Sequence, residues 1–363
     1  MKGPKIIISN LYEKNQGVTN VAVNYKKALE ILGYQVSFIQ FSIGKNDNFL
    51  LPTRRGMNLL SRKLSKAFNI LFTFPRALSM EKADLLILSD PWLLKATKYR
   101  DDCVLIFHDS RQLTRYRDSL TSAALFKHLL RYLNRVKAVI AVSNVAKEEL
   151  IQLGVTRSKI FVVENSFERS DLLIKRQNDC SKERRRSVVN VYYVASDQRH
   201  KKVDFFLYLA KTILGNVKGK GMHFYLVSNI RKNKTKLFNP YIGKGLNILH
   251  NVEDMNEFLI NMDLLLFPSE YEGFGLPLIE ALSFGIPVIA RDLPVTREVL
   301  GEAAIFIGDL SLDKWEQEIL RFKDERYYDQ LSKLSLERSM EFDFTRFMEK
   351  LNRTICEIGV YEY

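Results

Sequence analysis

The chain has 363 residues, 46% of them hydrophobic and 27% charged, which suits about two globular domains and excludes a disordered or collagen-like chain. No apolar run approaches the roughly 20 residues that span a bilayer, and the apolar stretch in the N-terminal MKGPKIIISN is too short for a secretory signal. Cys103, Cys180 and Cys356 form no CxxC pair and the five histidines show no metal-ligand spacing, so neither a disulfide framework nor a zinc site is expected, and a reducing, cytoplasmic setting is. The net charge of +13 favours polyanionic partners such as phosphorylated substrates or anionic lipid. Nucleic acid is not expected, because no recognition module or aromatic ladder is visible.

In chain order, short apolar runs alternate with helical periodicity, the pattern of parallel βα units. Lys5–Ser9 reads as the first strand. Gly17–Leu32 reads as a helix with apolar positions Val21, Val23, Tyr25, Ala28, Leu29 and Leu32, stopped by Gly33, and Gln35–Phe41 as the second strand. Residues 52–82 mix Arg and Lys with Leu, Met and Phe. They read either as a basic amphipathic helix lying on an anionic membrane face or as a core-facing helix with a solvated basic side. Asp84–Leu88 and Val104–Phe107 are strands, Leu113–Val136 is expected as one long helix, and Ala138–Val142 is a strand. Ser143 and Asn144 then cap a helix over Val145–Leu153, and Ile160–Val163 closes the half. The polar, strongly basic stretch 166–187 reads as a linker.

A second βα series follows: strand Val189–Ala195, helix Val203–Leu214, strands Met222–Val227 and Leu246–Leu249, helix Met255–Met262 and strand Leu264–Phe267. The chain is mostly helical from Leu312. The organisation expected is a first domain over 1–165, the linker, a second domain over 188–340, and a C-terminal helical segment, 341–363, packing back on the first domain. Two doubly wound α/β domains facing a cleft, with ligands at the carboxyl ends of the strands, is the simplest architecture.

The most informative stretch is 267–300, FPSEYEGFGLPLIEALSFGIPVIARDLPVTREVL. An apolar strand runs into Gly273-Phe274-Gly275 and a helix leaves it, which makes a place where backbone N–H groups and the helix dipole hold an anion. Glu272 and Glu280 flank that turn. Carboxylates repel phosphate, so their presence fits a ligand that also carries hydroxyls, such as a nucleotide sugar; the plainer reading is an ordinary glycine turn with acids favouring the dipole. His108 directly follows a strand in IFHDS. It either points into the crevice at the strand's end or hydrogen-bonds within its loop.

The E-x7-E spacing of Glu272 and Glu280, with EGFGLPLIEA, then GIPVIA and REV, resembles the retaining GT-B glycosyltransferases of family 4, the glycosyl transferases group 1. The resemblance extends more weakly over most of the chain. It implies the GT-B fold, two Rossmann-like doubly wound domains facing an interdomain cleft. His108 matches a histidine that contacts the transferred sugar and helps orient the acceptor. In VASDQRHKKVD, Lys201 best matches the family lysine that neutralises the diphosphate. Ala195 and Ser196 stand where the family has Gly-Arg, Lys202 stands at its second glycine, and Arg199 could supply the missing guanidinium from a shifted position. Glu272 would accept hydrogen bonds from sugar hydroxyls. Phe274, Gly275 and Leu276, with Gly273 in the same turn, would present N–H groups to sugar or phosphate, and Glu280 would bind the ribose diol. Gly17 matches a loop close to the donor phosphate or acceptor. Asn229 and the loop at Val252 would flank the nucleotide base.

The function expected is retaining transfer of a hexose-type sugar from a nucleoside-diphosphate donor, a UDP- or GDP-sugar, to a glycan or lipid-linked acceptor in surface polysaccharide assembly such as lipopolysaccharide. No other cofactor and no divalent metal are expected, because Lys201, Arg199 and a helix N-terminus neutralise the charge. The expected place is the cytoplasm, with peripheral contact to the inner membrane face through the basic segment. The rival readings are a GT-B sugar-nucleotide epimerase or phosphorylase, and a non-catalytic nucleotide-sugar binder.

Overall fold

The computed structural model describes residues 3–11, 17–41, 67–168, 188–230, 232–250 and 252–359. The chain divides into two compact units, Met1–Asn165 with Thr345–Tyr363, and Ser166–Phe344. Residues 52–66 of the basic segment 52–82, the loop 12–16 and the linker stretch 169–187 lie outside the described residues.

The first unit is built on β1 (Lys5–Asn10), β2 (Gln35–Gln40), β3 (Leu85–Leu88), β4 (Cys103–Phe107), β5 (Ala138–Ala141) and β6 (Ile160–Val162). All are parallel, in the order β2-β1-β3-β4-β5-β6. LLIL, CVLIF and AVIA are buried at every position, as an unbroken apolar run must be when helices cover both faces of a parallel sheet. Helix α1 (Gly17–Ile31) buries Val21, Ala22, Tyr25, Ala28 and Leu29 along one stripe, the period of a surface helix.

Helix α2 (Phe74–Ser79) follows a π-helical turn, Asn69–Thr73. The unforeseen segment Pro91–Lys98 is a buried 3-10 helix capped by Asp90, whose carboxylate accepts from Trp92 N at 2.8 Å. The long helix expected over Leu113–Val136 does not form. A 3-10 turn at Arg111–Leu113 leads into a loop closed on Asp118, which accepts from Arg111 at 2.8 Å and Gln112 at 2.5 Å. Ser119 then caps α3 (Leu120–Leu130), accepting from Ser122 N at 3.0 Å. Periodicity continues through the loop, but the serine and aspartate compete for the backbone and start the helix late. Helix α4 (Asn144–Gln152) is capped by Ser143 through Ala146 N at 3.0 Å, as the sequence indicates.

The second unit holds β7 (Val189–Val194), β8 (Met222–Val227), β9 (Leu246–Leu249), β10 (Leu264–Phe267), β11 (Val288–Arg291) and β12 (Ala304–Ile307). They are parallel, in the order β12-β11-β10-β7-β8-β9. The edge strand β12 has no counterpart in the sequence reading. Its helices are α5 (Val203–Leu214), α6 (Met255–Leu259), α7 (Leu276–Ser283), α8 (Pro294–Leu300), α9 (Leu312–Arg321) and α10 (Glu325–Ser339). The last helix, α11 (Phe344–Glu357), returns to the first unit, where the Phe347 ring meets Tyr25 edge-on at 5.1 Å and Lys350 pairs with Glu164 at 2.7 Å. Among the described residues no helix is long and apolar enough to cross a membrane.

Strand order fixes where a ligand would sit. In the first sheet the winding reverses between β1 and β3, in the second between β7 and β10. In open α/β sheets the crevice lies at the carboxyl ends of the strands flanking such a reversal.

Candidate functional site

In the second unit, two loops leave the strands that flank the reversal. One runs from β7 through a 3-10 turn, Arg199–Lys201, into α5; the other runs from β10 through Ser269–Gly275 into α7. Tyr193, buried on β7, ties them together. Its hydroxyl donates to Lys201 O at 2.6 Å, so its single proton is used and it accepts from Ser269 Oγ at 2.9 Å. Burial pushes this phenol well above its ordinary pKa, and the charge of Glu272 adds to the rise. Glu270 N donates to His200 O at 2.8 Å, a second stitch.

These stitches place two ion pairs side by side. Lys201 Nζ lies 2.7 Å from both oxygens of Glu272, with the lysine side chain 22% and the glutamate 8% exposed. Lys202 Nζ lies 2.9 Å from Glu270 Oε2. The backbone of Lys202 is left-handed, φ +53° and ψ +40°, the conformation that a glycine would take most readily.

At the start of α7, Gly275 has φ +92°, and a Cβ there would meet Leu278 Cδ1 at 2.9 Å. Only glycine fits that position. Phe274 turns its side chain into the core, edge-on to Phe342 at 5.8 Å. The helix begins at Leu276; Pro277, which follows, has no N–H, and Leu278 N already donates to Gly275 O at 2.9 Å. Glu280 is half-buried, and among the described residues its carboxylate has no hydrogen-bond or ion-pair partner. Desolvation pushes its pKa up to about 7.

The structure brings Lys201 and Glu272 into direct contact and leaves other expected residues apart from them. Arg199 is exposed and pairs with no carboxylate among the described residues. Asn229 is exposed beyond β8, and Val252 is half-buried beyond β9. His250, two residues before Val252, places Nδ1 3.0 Å from Ser228 O. Gly17 is the exposed first residue of α1 in the first unit. Tyr193, Ser269 and Glu270 were missed from the sequence. The available signal was a tyrosine pair in an otherwise apolar strand, since a buried tyrosine hydroxyl needs a polar partner.

In the first unit, His108 follows β4, beside the reversal. Its Nε2 lies 3.0 Å from Ser89 O. A carbonyl can only accept, so Nε2 carries the proton and Nδ1 keeps its lone pair. Burial lowers the imidazole pKa to about 4 against the pull of that hydrogen bond, so the ring is neutral at neutral pH. The second sequence reading, a histidine hydrogen-bonded within the fold, matches the Nε2 contact with Ser89 O. Behind the ring a buried polar chain links the strand ends: Ser89 Oγ donates to Asn10 Oδ1 at 3.0 Å, and Asn10 Nδ2 to Thr19 Oγ1 at 3.0 Å. Among the described residues no group of three His, Cys, Asp or Glu side chains is placed to hold a metal ion.

A family model described as glycosyl transferases group 1 matches residues 189–324, and one described as glycosyltransferase family 4 matches residues 15–170. The chain is 26% identical over 260 residues to the O-antigen chain mannosyltransferase RfbU of Salmonella typhimurium, covering 69% of this chain and 68% of that protein. It is 38% identical over 105 residues to the serotype-specific mannosyltransferase WbdA of Escherichia coli, of which it spans only 13%. Among solved structures, Anabaena HepE in complex with UDP and glucose superposes with a TM-score of 0.69 at 16% identity, over 97% of this chain and 99% of that one. The apo form of the lipopolysaccharide outer core galactosyltransferase WaaB gives 0.65 at 16% identity, over 97% and 99%. At such identities the structural likeness speaks for the fold, two Rossmann-like domains of GT-B type.

Proposed function

The chain belongs to the glycosyl transferases group 1 family, and from that premise we propose that it moves a hexose, with retention of anomeric configuration, from a nucleoside-diphosphate sugar to a glycan or lipid-linked acceptor in surface polysaccharide assembly. The observation that carries this reading is the two-oxygen contact of Glu272 with Lys201 at the reversal of the second sheet. A cation and a carboxylate held together at that crevice suit a ligand with anionic and hydroxylic parts on adjoining atoms. Lys201 faces the diphosphate and stabilises the charge that grows as it leaves. Arg199, exposed at the start of the same 3-10 turn, adds a guanidinium. Each Glu272 oxygen keeps a lone pair for a sugar hydroxyl while Lys201 remains bound. The N–H groups of Gly273, Phe274, Gly275 and Leu276 line the start of α7. Glu280, whose carboxylate has no partner among the described residues, takes the ribose diol, and Asn229 and Val252 border the base. His108, through Nδ1, serves the transferred sugar and acceptor.

Surface polysaccharide is favoured by the roles for which these relatives are named, O-antigen and lipopolysaccharide core assembly. A UDP-sugar is the first donor to try because HepE was crystallised with UDP-glucose; a GDP-sugar is the second. On this reading the enzyme works in the cytoplasm, at the membrane where a lipid-linked acceptor is presented. Protein cations neutralise the leaving group, so turnover should persist in a chelator.

The test is release of nucleoside diphosphate with acceptor present, followed by the anomeric proton signal of the product. Glu272→Gln should lower turnover roughly 30–150-fold, the equivalent of losing about 2–3 kcal/mol of charged hydrogen bonding, while the melting temperature changes little. Normal turnover in that variant contradicts the sugar contact. Saturable donor binding that never releases nucleoside diphosphate would favour a non-catalytic binder, and a new nucleotide sugar formed without acceptor would favour an epimerase.

A further inference from the structure

Lys202 sits where nothing in the fold favours a lysine. Among the described residues it is the one non-glycine position with positive φ, a conformation that strains an ordinary side chain. It caps the N-terminus of α5, a 12-residue helix, without a side-chain cap hydrogen bond. The positive end of the helix dipole disfavours a cation there, and Arg199, His200 and Lys201 crowd the turn just before it. Asp204 in the first turn of α5 offsets part of that positive charge.

What Lys202 gains in return is one ion pair with Glu270 at 2.9 Å, its side chain 28% and the glutamate's 17% exposed. A partly exposed pair contributes little to stability. That does not offset the backbone strain and the dipole. Stored strain of this kind is found where a ligand uses the strained residue.

We propose that Lys202 is a second binding cation for the donor's diphosphate, held on Glu270 until the donor arrives. This rests on the nucleotide-sugar reading above and extends it with a residue pair. The two pairs are parallel: Lys201 on Glu272 and Lys202 on Glu270, on loops joined through Tyr193 and through the Glu270-to-His200 hydrogen bond. Each carboxylate stands in for an anionic oxygen and keeps its ammonium ordered. A diphosphate, with more charge than either carboxylate, takes over the ammonium groups, and the helix dipole that opposes the lysines favours the incoming phosphate. Glu270 is then a competitor for Lys202, so the two members of the pair act on donor affinity with opposite signs.

That sign difference is the test. Affinities for UDP, GDP and the matching nucleosides are measured by calorimetry on the full chain and on Lys202→Gly, Lys202→Asn and Glu270→Gln. Glycine relieves the strain, and asparagine tolerates the left-handed backbone, so these variants remove the charge without forcing the loop. Lys202→Gly and Lys202→Asn should bind the diphosphate at least tenfold more weakly, with nucleoside affinity unchanged and a melting temperature equal to or above that of the parent. Glu270→Gln should bind the diphosphate several-fold more tightly. If Lys202 merely clamps the two loops, all three variants weaken binding together, and that result overturns the proposal. Diphosphate affinity unchanged in both Lys202 variants overturns it too, while leaving the donor reading intact. A parent chain that binds no nucleoside diphosphate overturns the donor reading itself, and the proposal with it.

Discussion

Two residues carry charge states set by burial, and each makes a pH-dependent prediction of its own. The Glu280 carboxyl is raised from an ordinary 4.5 to about 7. Between those values the folded chain holds a proton that the unfolded chain has released, so stability falls as pH rises through the window, and the deficit persists above it. Glu280→Gln should remove the deficit. In melts from pH 4 to 8, the variant should gain on the parent by about 1–2 kcal/mol at the upper end, a figure discounted for partial exposure. Its donor affinity should fall, since glutamine cannot offer a diol two charge-assisted bonds. A variant with no pH-dependent gain would show that the carboxyl is not desolvated. His108 behaves oppositely. Its imidazole is lowered from 6.5 to about 4, so the unfolded chain binds the proton first and stability is lost as pH falls through that window. His108→Asn should flatten the acid side of the stability profile. It should also lower kcat on the order of 10–100-fold with donor affinity nearly unchanged. A normal kcat would remove His108 from the reaction.

Among the elements, the two loops beyond β7 and β10 are joined by the Tyr193 hydroxyl beside the Glu270-to-His200 hydrogen bond. Tyr193→Phe removes the bonds to Lys201 O and Ser269 Oγ and keeps the ring in the core. The fold should survive at a cost of about 1–2 kcal/mol, with donor binding weakened as Lys201 and Glu272 lose registration. Donor affinity that does not move would mean the loops are held without it. Strand ends, helix caps and the Gly275 turn were legible in the sequence because each depends on local chemistry: a continuous apolar run, a serine at a helix start, a glycine where φ must be positive. The four residues of β12 were not, since a short apolar run at a sheet edge carries no periodicity of its own. The loop from Arg111 to Asp118 was hidden because its hydrogen bonds link residues whose pattern still looks helical. At the site, Lys201 and Glu272 were legible as separate motif positions 71 residues apart. Their contact, and the pairing of Lys202 with Glu270, depend on which way side chains leave a loop, and sequence order does not specify that.

At the scale of the molecule, one chain makes two doubly wound sheets, each with a reversal of winding, and each reversal gathers polar residues that its own core does not need. In the first unit these are His108 and the Ser89–Asn10–Thr19 chain; in the second they are the two lysine–glutamate pairs and Glu280. The closing helix α11 returns to the first unit and packs Phe347 on Tyr25, so the chain's last helix completes the core that its first helix began. Across this whole, the central claim is that the reversal in the second unit grips a sugar nucleotide by its diphosphate. The most direct measurement is equilibrium binding of UDP-, GDP-, ADP- and dTDP-sugars to the parent chain and to Lys201→Met. The account predicts that one donor series saturates the parent, raises its melting temperature by mass action, and loses at least tenfold in affinity in the variant while the unliganded variant melts as the parent does. A chain that binds none of these donors, or a variant that binds them as tightly as the parent, would contradict it.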